Sequence, residues 1–117
     1  MLGIGTDIVE TSRVAHWVHD TDILSLVFTI AERDTAMNKK YPHRYLAAAL
    51  AVKEAFMKAA GKGWGGGLQW TDIEVSHGRG GWFVQLYKRA KDLCENRNVF
   101  VSAGCSRDLT IALVVIE

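Results

Sequence analysis

The chain has 117 residues, enough for one domain with a single core, at a size where much surface stays exposed and association with other copies would help. Apolar residues make up 49% and charged residues 23%, ordinary globular values that exclude disordered and fibrous classes. The net charge of +1 supplies no overall basic field, so no nucleic acid partner is expected and any anion site must be local. The start, MLGIGTDIVE, shows no basic segment followed by an apolar one, and no apolar run approaches a membrane span, so neither a secretion signal nor a membrane is expected. Cys94 and Cys105 lack CxxC spacing and support neither a zinc site nor a disulfide framework. The expectation is a cytoplasmic protein with reduced thiols.

Met1 to Val9 is short, apolar and broken by glycines, and predicts a strand ending at Asp7 or just beyond. Thr11 or Ser12 then caps a helix with an apolar face of Val14, Trp17 and Val18, fading at positions 19–22. Thr29 with Glu32 three residues later is a capping-box pattern opening a short helix to about Met37. Pro42 begins the longest helical stretch, Arg44 to Ala60, rich in alanine and leucine and stopped by Gly61. The segment GKGWGGG (61–67) is a loop that can bend sharply or approach another group closely.

Asp72 to Ser76 and Trp82 to Tyr87, joined by the glycine-rich turn 78–81, predict a β-hairpin. Lys88 to Asn96 reads as a helix. Val99 to Ala103 and Thr110 to Ile116 read as strands, the last apolar enough to be central in a sheet. There is no repeat and no linker, so residues 1–117 form a single domain.

Three segments hold the chemistry-bearing residues. Glu54 and Lys58 are four apart on a helix and project from one face, a spacing that suits a plain helix ion pair as well as joint service of one ligand. The apolar neighbours Ala55, Phe56 and Ala59 make that helix mostly buried, where a carboxylate and an ammonium need partners. Asp7 reads on local grounds as a turn residue at a strand end or as an acid placed for a site. The glycine cluster matches neither the Walker pattern nor GxGxxG.

Taken together, GIGTDIVETSR (3–13), RYLAAALAVKEAFMKAAGKGWGGGLQWTDIEV (44–75) and FVSAGCSRDLTIALVVIE (100–117) resemble, in order and separation, the signature regions of holo-acyl-carrier-protein synthases. The resemblance covers essentially the whole chain. It implies an α+β fold, an antiparallel sheet packed with one long and several short helices. It also implies a Mg²⁺-dependent enzyme that moves 4'-phosphopantetheine from coenzyme A to a serine of an apo acyl carrier protein, releasing adenosine 3',5'-bisphosphate. Asp7 and Glu54 match the family's metal carboxylates, and Mg²⁺ suits carboxylate and phosphate oxygens. Lys58 matches a lysine on the pantetheine-side phosphate. Glu54 matches the group that moves the serine proton, directly or through water. Lys62 and the amides near Gly61, Gly63 and Gly65 match a loop beside the nucleotide, and Ser102 matches a further coenzyme contact. Arg13 matches an arginine that docks the acidic carrier protein. The resemblance also implies a homotrimer with sites between subunits, so that the first helix and the Glu54 helix come from neighbouring chains.

The sequence departs from the family pattern at several positions. Ala49 stands where an arginine is usual, Cys105 where a histidine is, Gly104 where Ser or Thr is, and Trp82 where a proline is common. Loss of the arginine and histidine near the coenzyme's adenosine and 3'-phosphate predicts weak discrimination between coenzyme A and its 3'-dephospho form, unless Lys39, Lys40, Arg44 or Lys62 restores the contact from another direction. His16, His19, Asp20 and Asp22 make the first helical region less basic than the family's, which suits a carrier protein with a less acidic face. Two function classes follow: an active transferase serving a dedicated carrier protein in a polyketide or fatty-acid pathway, and a family-fold protein that binds a carrier without transfer. The intact Asp7, Glu54 and Lys58 favour the first.

Overall fold

A computed structural model describes residues 3–61 and 67–117, so Lys62, Gly63 and Gly65 of the expected nucleotide loop lie outside the described residues. The first strand, β1 (Gly3–Glu10), alternates in the expected way, with Gly5 and Val9 turned inward and Ile4, Thr6 and Ile8 outward. It runs three residues past the expected end. Asp7 lies within the strand, opposite Ala112, because antiparallel pairing with the last strand continues as far as Glu10 and Leu109. The helix α1 (Thr11–Ala15) is short and starts without a side-chain cap, so neither Thr11 nor Ser12 plays that part. The Thr11 amide instead donates to the Asp108 carbonyl at 2.8 Å.

The region expected to fade contains a second helix, α2 (Thr21–Val27). Asp20 caps it, accepting from the amides of Asp22 and Ile23 at 3.1 and 3.2 Å. The capping box of α3 (Ile30–Met37) forms as expected, with Thr29 Oγ1 accepting from Glu32 N and Glu32 Oε1 accepting from Thr29 N. Next, α4 (Pro42–Ala60) has proline in its first turn and ends at Gly61, whose φ of 71° is the left-handed conformation glycine tolerates. From Tyr45 to Lys53 every residue of α4 is buried, which makes it the axis of the core.

A 3-10 turn (Trp70–Asp72) leads into the hairpin of β2 (Ile73–Gly78) and β3 (Gly81–Leu86). Then come α5 (Lys88–Cys94), β4 (Val99–Cys105) and β5 (Leu109–Ile116). The last strand is central, in an antiparallel sheet ordered β1-β5-β4. One face of this sheet packs on α4. The other carries Ile4, Ile8, Phe100, Ile111 and Leu113, all exposed in the single chain.

The fold also contains an ion pair that sequence reasoning missed. Lys53 and Glu32 are both fully buried and meet at 2.8 Å, and Lys53 Nζ also donates to the carbonyls of Val27 (2.7 Å) and Trp70 (3.0 Å). Glu32 additionally accepts from the Val75 amide at 2.6 Å. One pair therefore ties α2, α3, α4, the 3-10 turn and β2 together. Burial pushes the Lys53 ammonium below its usual range while Glu32 pulls it back up.

Candidate active site

The site grows from the contact between β1 and α4. Alternation puts Gly3, Gly5 and Asp7 on the inner face of β1, and a Cβ added at Gly5 would overlap the Ala55 carbonyl oxygen and sit 2.6 Å from Ala59 N. Glycine thus lets the strand backbone lie directly on the helix. Two residues on, Asp7 is delivered to the helix face that carries Glu54 and Lys58.

Lys58 Nζ donates to Asp7 Oδ1 at 2.8 Å and to the Thr6 carbonyl at 3.1 Å. Glu54 Oε1 accepts from Arg13 Nη2 at 3.1 Å. The ion pairs formed here, Arg13–Glu54 and Lys58–Asp7, are therefore not the simple Glu54–Lys58 helix pair that the spacing allowed. Each carboxylate is held by a cation from another element. Arg13 reaches Glu54 within one chain, so this contact needs no neighbouring subunit.

Electrostatics separate the two acids. Burial and then the nearby Asp7 push the Glu54 carboxyl up to about 7, against the pull of Arg13. Burial also acts upward on Asp7, but the neighbouring Glu54 carboxyl, the Lys58 bond and the Lys58 charge outweigh it, leaving its pKa lowered. The bond to Asp7 holds the Lys58 ammonium above its usual range.

Asp7 Oδ2 is buried without a hydrogen-bond partner among the described residues. Among those residues no group of three or more His, Cys, Asp or Glu side chains gathers around one point. Two hard carboxylates, one with an unused oxygen, fit Mg²⁺, which commonly takes one or two carboxylates and completes its shell with water and substrate phosphate.

The other expected residues are dispersed. Gly61 follows the last turn of α4. Ser102, opposite Leu113, lies on the outer sheet face, away from Asp7. Ala49 is fully buried, whereas Cys105 is exposed and borders a groove of about 270 Å³ between the start of α4 and the hairpin. Lys39, Lys40 and Arg44 line this groove with Tyr41, Tyr45 and Trp82. Arg44 stacks over Tyr41 at 4.0 Å and Lys39 sits 5.7 Å from the Tyr45 ring centre. The three cations are visible in the sequence as separate charges, but their convergence on aromatic walls is a product of the fold.

Residues 3–114 match the family model ACPS, the 4'-phosphopantetheinyl transferase superfamily. The chain belongs to this superfamily. It is 34% identical over 119 residues to a holo-[acyl-carrier-protein] synthase of Chlamydia muridarum, covering 100% of this chain and 95% of that protein. It is 34% identical over 122 residues to the synthase of Pseudoalteromonas atlantica, covering 100% and 97%. Among solved structures, the Neisseria meningitidis synthase superposes with a TM-score of 0.85 at 29% identity, covering 100% of this chain and 98% of that one. The Bacillus anthracis synthase, solved in complex with CoA (3',5'-ADP), superposes at 0.83 with 28% identity, covering 99% and 96%. This phosphopantetheinyl transferase is thus an enzyme of the holo-acyl-carrier-protein synthase type, with the expected small α+β fold.

Proposed function

We propose that this enzyme transfers 4'-phosphopantetheine from coenzyme A to a serine of an apo acyl carrier protein at Asp7, Glu54 and Lys58. The observation that carries the reading is the Asp7 carboxylate beside Glu54, with Lys58 Nζ 2.8 Å from it, on a strand and helix locked by Gly5. The solved relative from Bacillus anthracis in complex with CoA (3',5'-ADP) supports the donor.

In the proposed reaction the serine oxygen attacks the pantetheine-side phosphorus, and the bond to the adenosine-side phosphate breaks. Adenosine 3',5'-bisphosphate leaves. Glu54 takes the serine proton, directly or through water. Lys58 is largely exposed at the site and can turn from Asp7 to the pantetheine-side phosphate as charge shifts to the leaving group. Asp7 and Glu54 would hold Mg²⁺, which when bound neutralises pyrophosphate charge.

The cationic, aromatic groove suits the adenosine end of the donor, with Arg44, Lys39 and Lys40 facing its 3'-phosphate and rings beside the base. On this reading those cations replace what Ala49 and Cys105 do not supply. Gly61 and the loop with Lys62, Gly63 and Gly65 are assigned to the nucleotide side, and Ser102 to a coenzyme bound from a neighbouring subunit. A homotrimer is proposed because the outer sheet face exposes a continuous set of large apolar side chains that association would cover. Among the described residues no helix is long and apolar enough to cross a membrane. The cytoplasm is the proposed compartment, in keeping with two free cysteines.

The test is mass spectrometry of an apo acyl carrier protein incubated with the enzyme, coenzyme A and Mg²⁺. The carrier should gain one 4'-phosphopantetheinyl group, and Glu54→Gln should slow the gain by roughly a hundredfold or more while the fold persists. No gain with any apo carrier would leave the carrier-binding reading in its place.

A further inference from the structure

The sequence marks Thr11 or Ser12 as the cap of the first helix, but α1 starts without a side-chain cap, so both hydroxyls are left over from that task. Thr11 is 4% exposed, and its Oγ1 has no hydrogen-bond partner among the described residues. Leaving a buried hydroxyl unpaired is costly, which points to a partner that binds from outside.

Thr11 and Ser12 border a recess of about 310 Å³ between α1, the start of α4 and the turn at 106–108. His43 and Arg44 form its α4 side, and Arg107 and Asp108 its turn side. Arg44 Nε is likewise buried without a partner among the described residues, while its guanidinium lies over the Tyr41 ring at 4.0 Å. The Arg107 side chain is 80% exposed and its ion pair with Asp108 is long, at 3.7 Å, so its guanidinium is free to be recruited. The recess adjoins the proposed donor groove across the Arg44–Tyr41 stack. Lys39, Lys40, Trp82 and Cys105 border the groove but not the recess, and Asp7, Glu54 and Lys58 border neither.

We propose that this recess is a second anion site, which binds free inorganic phosphate through Thr11, Arg44 and Arg107, apart from the coenzyme. Hydroxyls and guanidinium forks are the donors that recognise phosphate oxygens. Here they reach one recess from three elements, an arrangement that suits a tetrahedral oxyanion better than a flat carboxylate. Threonine in a helix takes either of two χ1 rotamers, so one rotation offers the Thr11 hydroxyl to such an ion. Two guanidiniums against the Asp108 carboxylate leave the lining positive. The inference goes beyond the transfer reaction and does not depend on it.

Isothermal titration calorimetry with sodium phosphate, against sodium chloride of matched ionic strength so that general screening cancels, should show saturable binding. Thr11→Val keeps the shape of the side chain and removes the hydroxyl. It should weaken phosphate binding by about two- to tenfold, the scale of one hydrogen bond, while leaving Tm in phosphate-free buffer unchanged or raised, because an unpaired buried hydroxyl is gone. Arg107→Gln should weaken binding by about two- to fivefold, and Asp108→Asn should strengthen it by a similar factor. Both change exposed side chains, so they test the site even if Thr11→Val does not fold. Lys39→Gln, in the groove alone, should leave phosphate binding as it is, and phosphate should still bind when adenosine 3',5'-bisphosphate is saturating. Loss of phosphate binding under that nucleotide, or through Lys39→Gln but not through Thr11→Val and Arg107→Gln, would place the ion in the donor groove and overturn the proposal. Absence of saturable binding overturns it as well. So does a fall in the Tm of Thr11→Val without phosphate, which would show the hydroxyl already in use within the fold.

Discussion

Replacing Gly5 by alanine tests whether the close seat of β1 on α4 builds the site. The added Cβ would overlap the Ala55 carbonyl oxygen, lie 2.6 Å from Ala59 N and 2.9 Å from Lys58 Cβ. Two of these obstacles are backbone atoms of a buried helix, so the strand must yield, by roughly 1 Å. Such overpacking costs about 1–3 kcal/mol. Unfolding entropy of about 2.1 cal/mol/K per residue converts this, for a chain of this length, to a fall in Tm of roughly 4–12 °C. The same shift moves Asp7 from Glu54 and Lys58, and a misplacement of about 1 Å costs on the order of a hundredfold in rate. Thermal unfolding gives the first quantity. Carrier modification, followed by mass spectrometry well below Tm, gives the second. Gly78→Ala is the control, because a Cβ there meets nothing within 4 Å. If Gly5→Ala keeps both the Tm and the rate of the unmodified protein, the close approach does not position Asp7.

Three further outcomes are expected. Lys53→Met leaves Glu32 charged and buried without its ammonium, which should cost about 3–5 kcal/mol and lower Tm by roughly 12–20 °C; Glu32→Gln in the same chain should recover part of the loss in calorimetry. The folded-state pKa of Glu54 is raised to about 7 from an ordinary 4.5, so its contribution to metal-free stability is present below the ordinary value and lost as pH rises through about 7. Mn²⁺ binding should run the other way, weakening by up to about tenfold per pH unit below 7, and titrations on either side of neutrality measure it. In the groove, Arg44→Gln should narrow the kcat/KM preference for coenzyme A over 3'-dephospho-coenzyme A by about tenfold. That result would separate the proposed groove from the weak discrimination expected on the sequence departures alone.

The elements legible in the sequence are those whose signals are local. Thr29 and Glu32 spell a capping box, Gly61 stops an alanine-rich helix, and the continuous apolar run of β5 announces a central strand. What was lost depended on partners far away in sequence. Asp7 reads as the end of a strand because Gly3 and Gly5 break the short apolar stretch before it, yet the ladder to β5 carries β1 on to Glu10. The segment at Asp20 read as fading because its acids look like a loop, yet Asp20 caps α2. Lys53 passed unnoticed because a lysine in a helix usually faces solvent, and its acid lies 21 residues earlier.

The same division explains the site. Spacing placed Glu54 and Lys58 on one helix face, and that face carries the proposed site. Spacing also offered an ion pair between them, but Asp7 takes Lys58 and Arg13 takes Glu54, because a glycine-paved strand brings one acid within bonding distance and a short helix brings the guanidinium. An isolated helix would close the i,i+4 pair and have no reason to keep either charge available. In this fold the pair is split across three elements, and on the proposed reading each charge is satisfied by a contact that a phosphate or a metal ion can replace. The sequence feature that marks such a site is thus not the charged pair itself but the small residues around it, Gly3, Gly5, Ala55 and Ala59, which remove the bulk that would otherwise keep β1 and α4 apart.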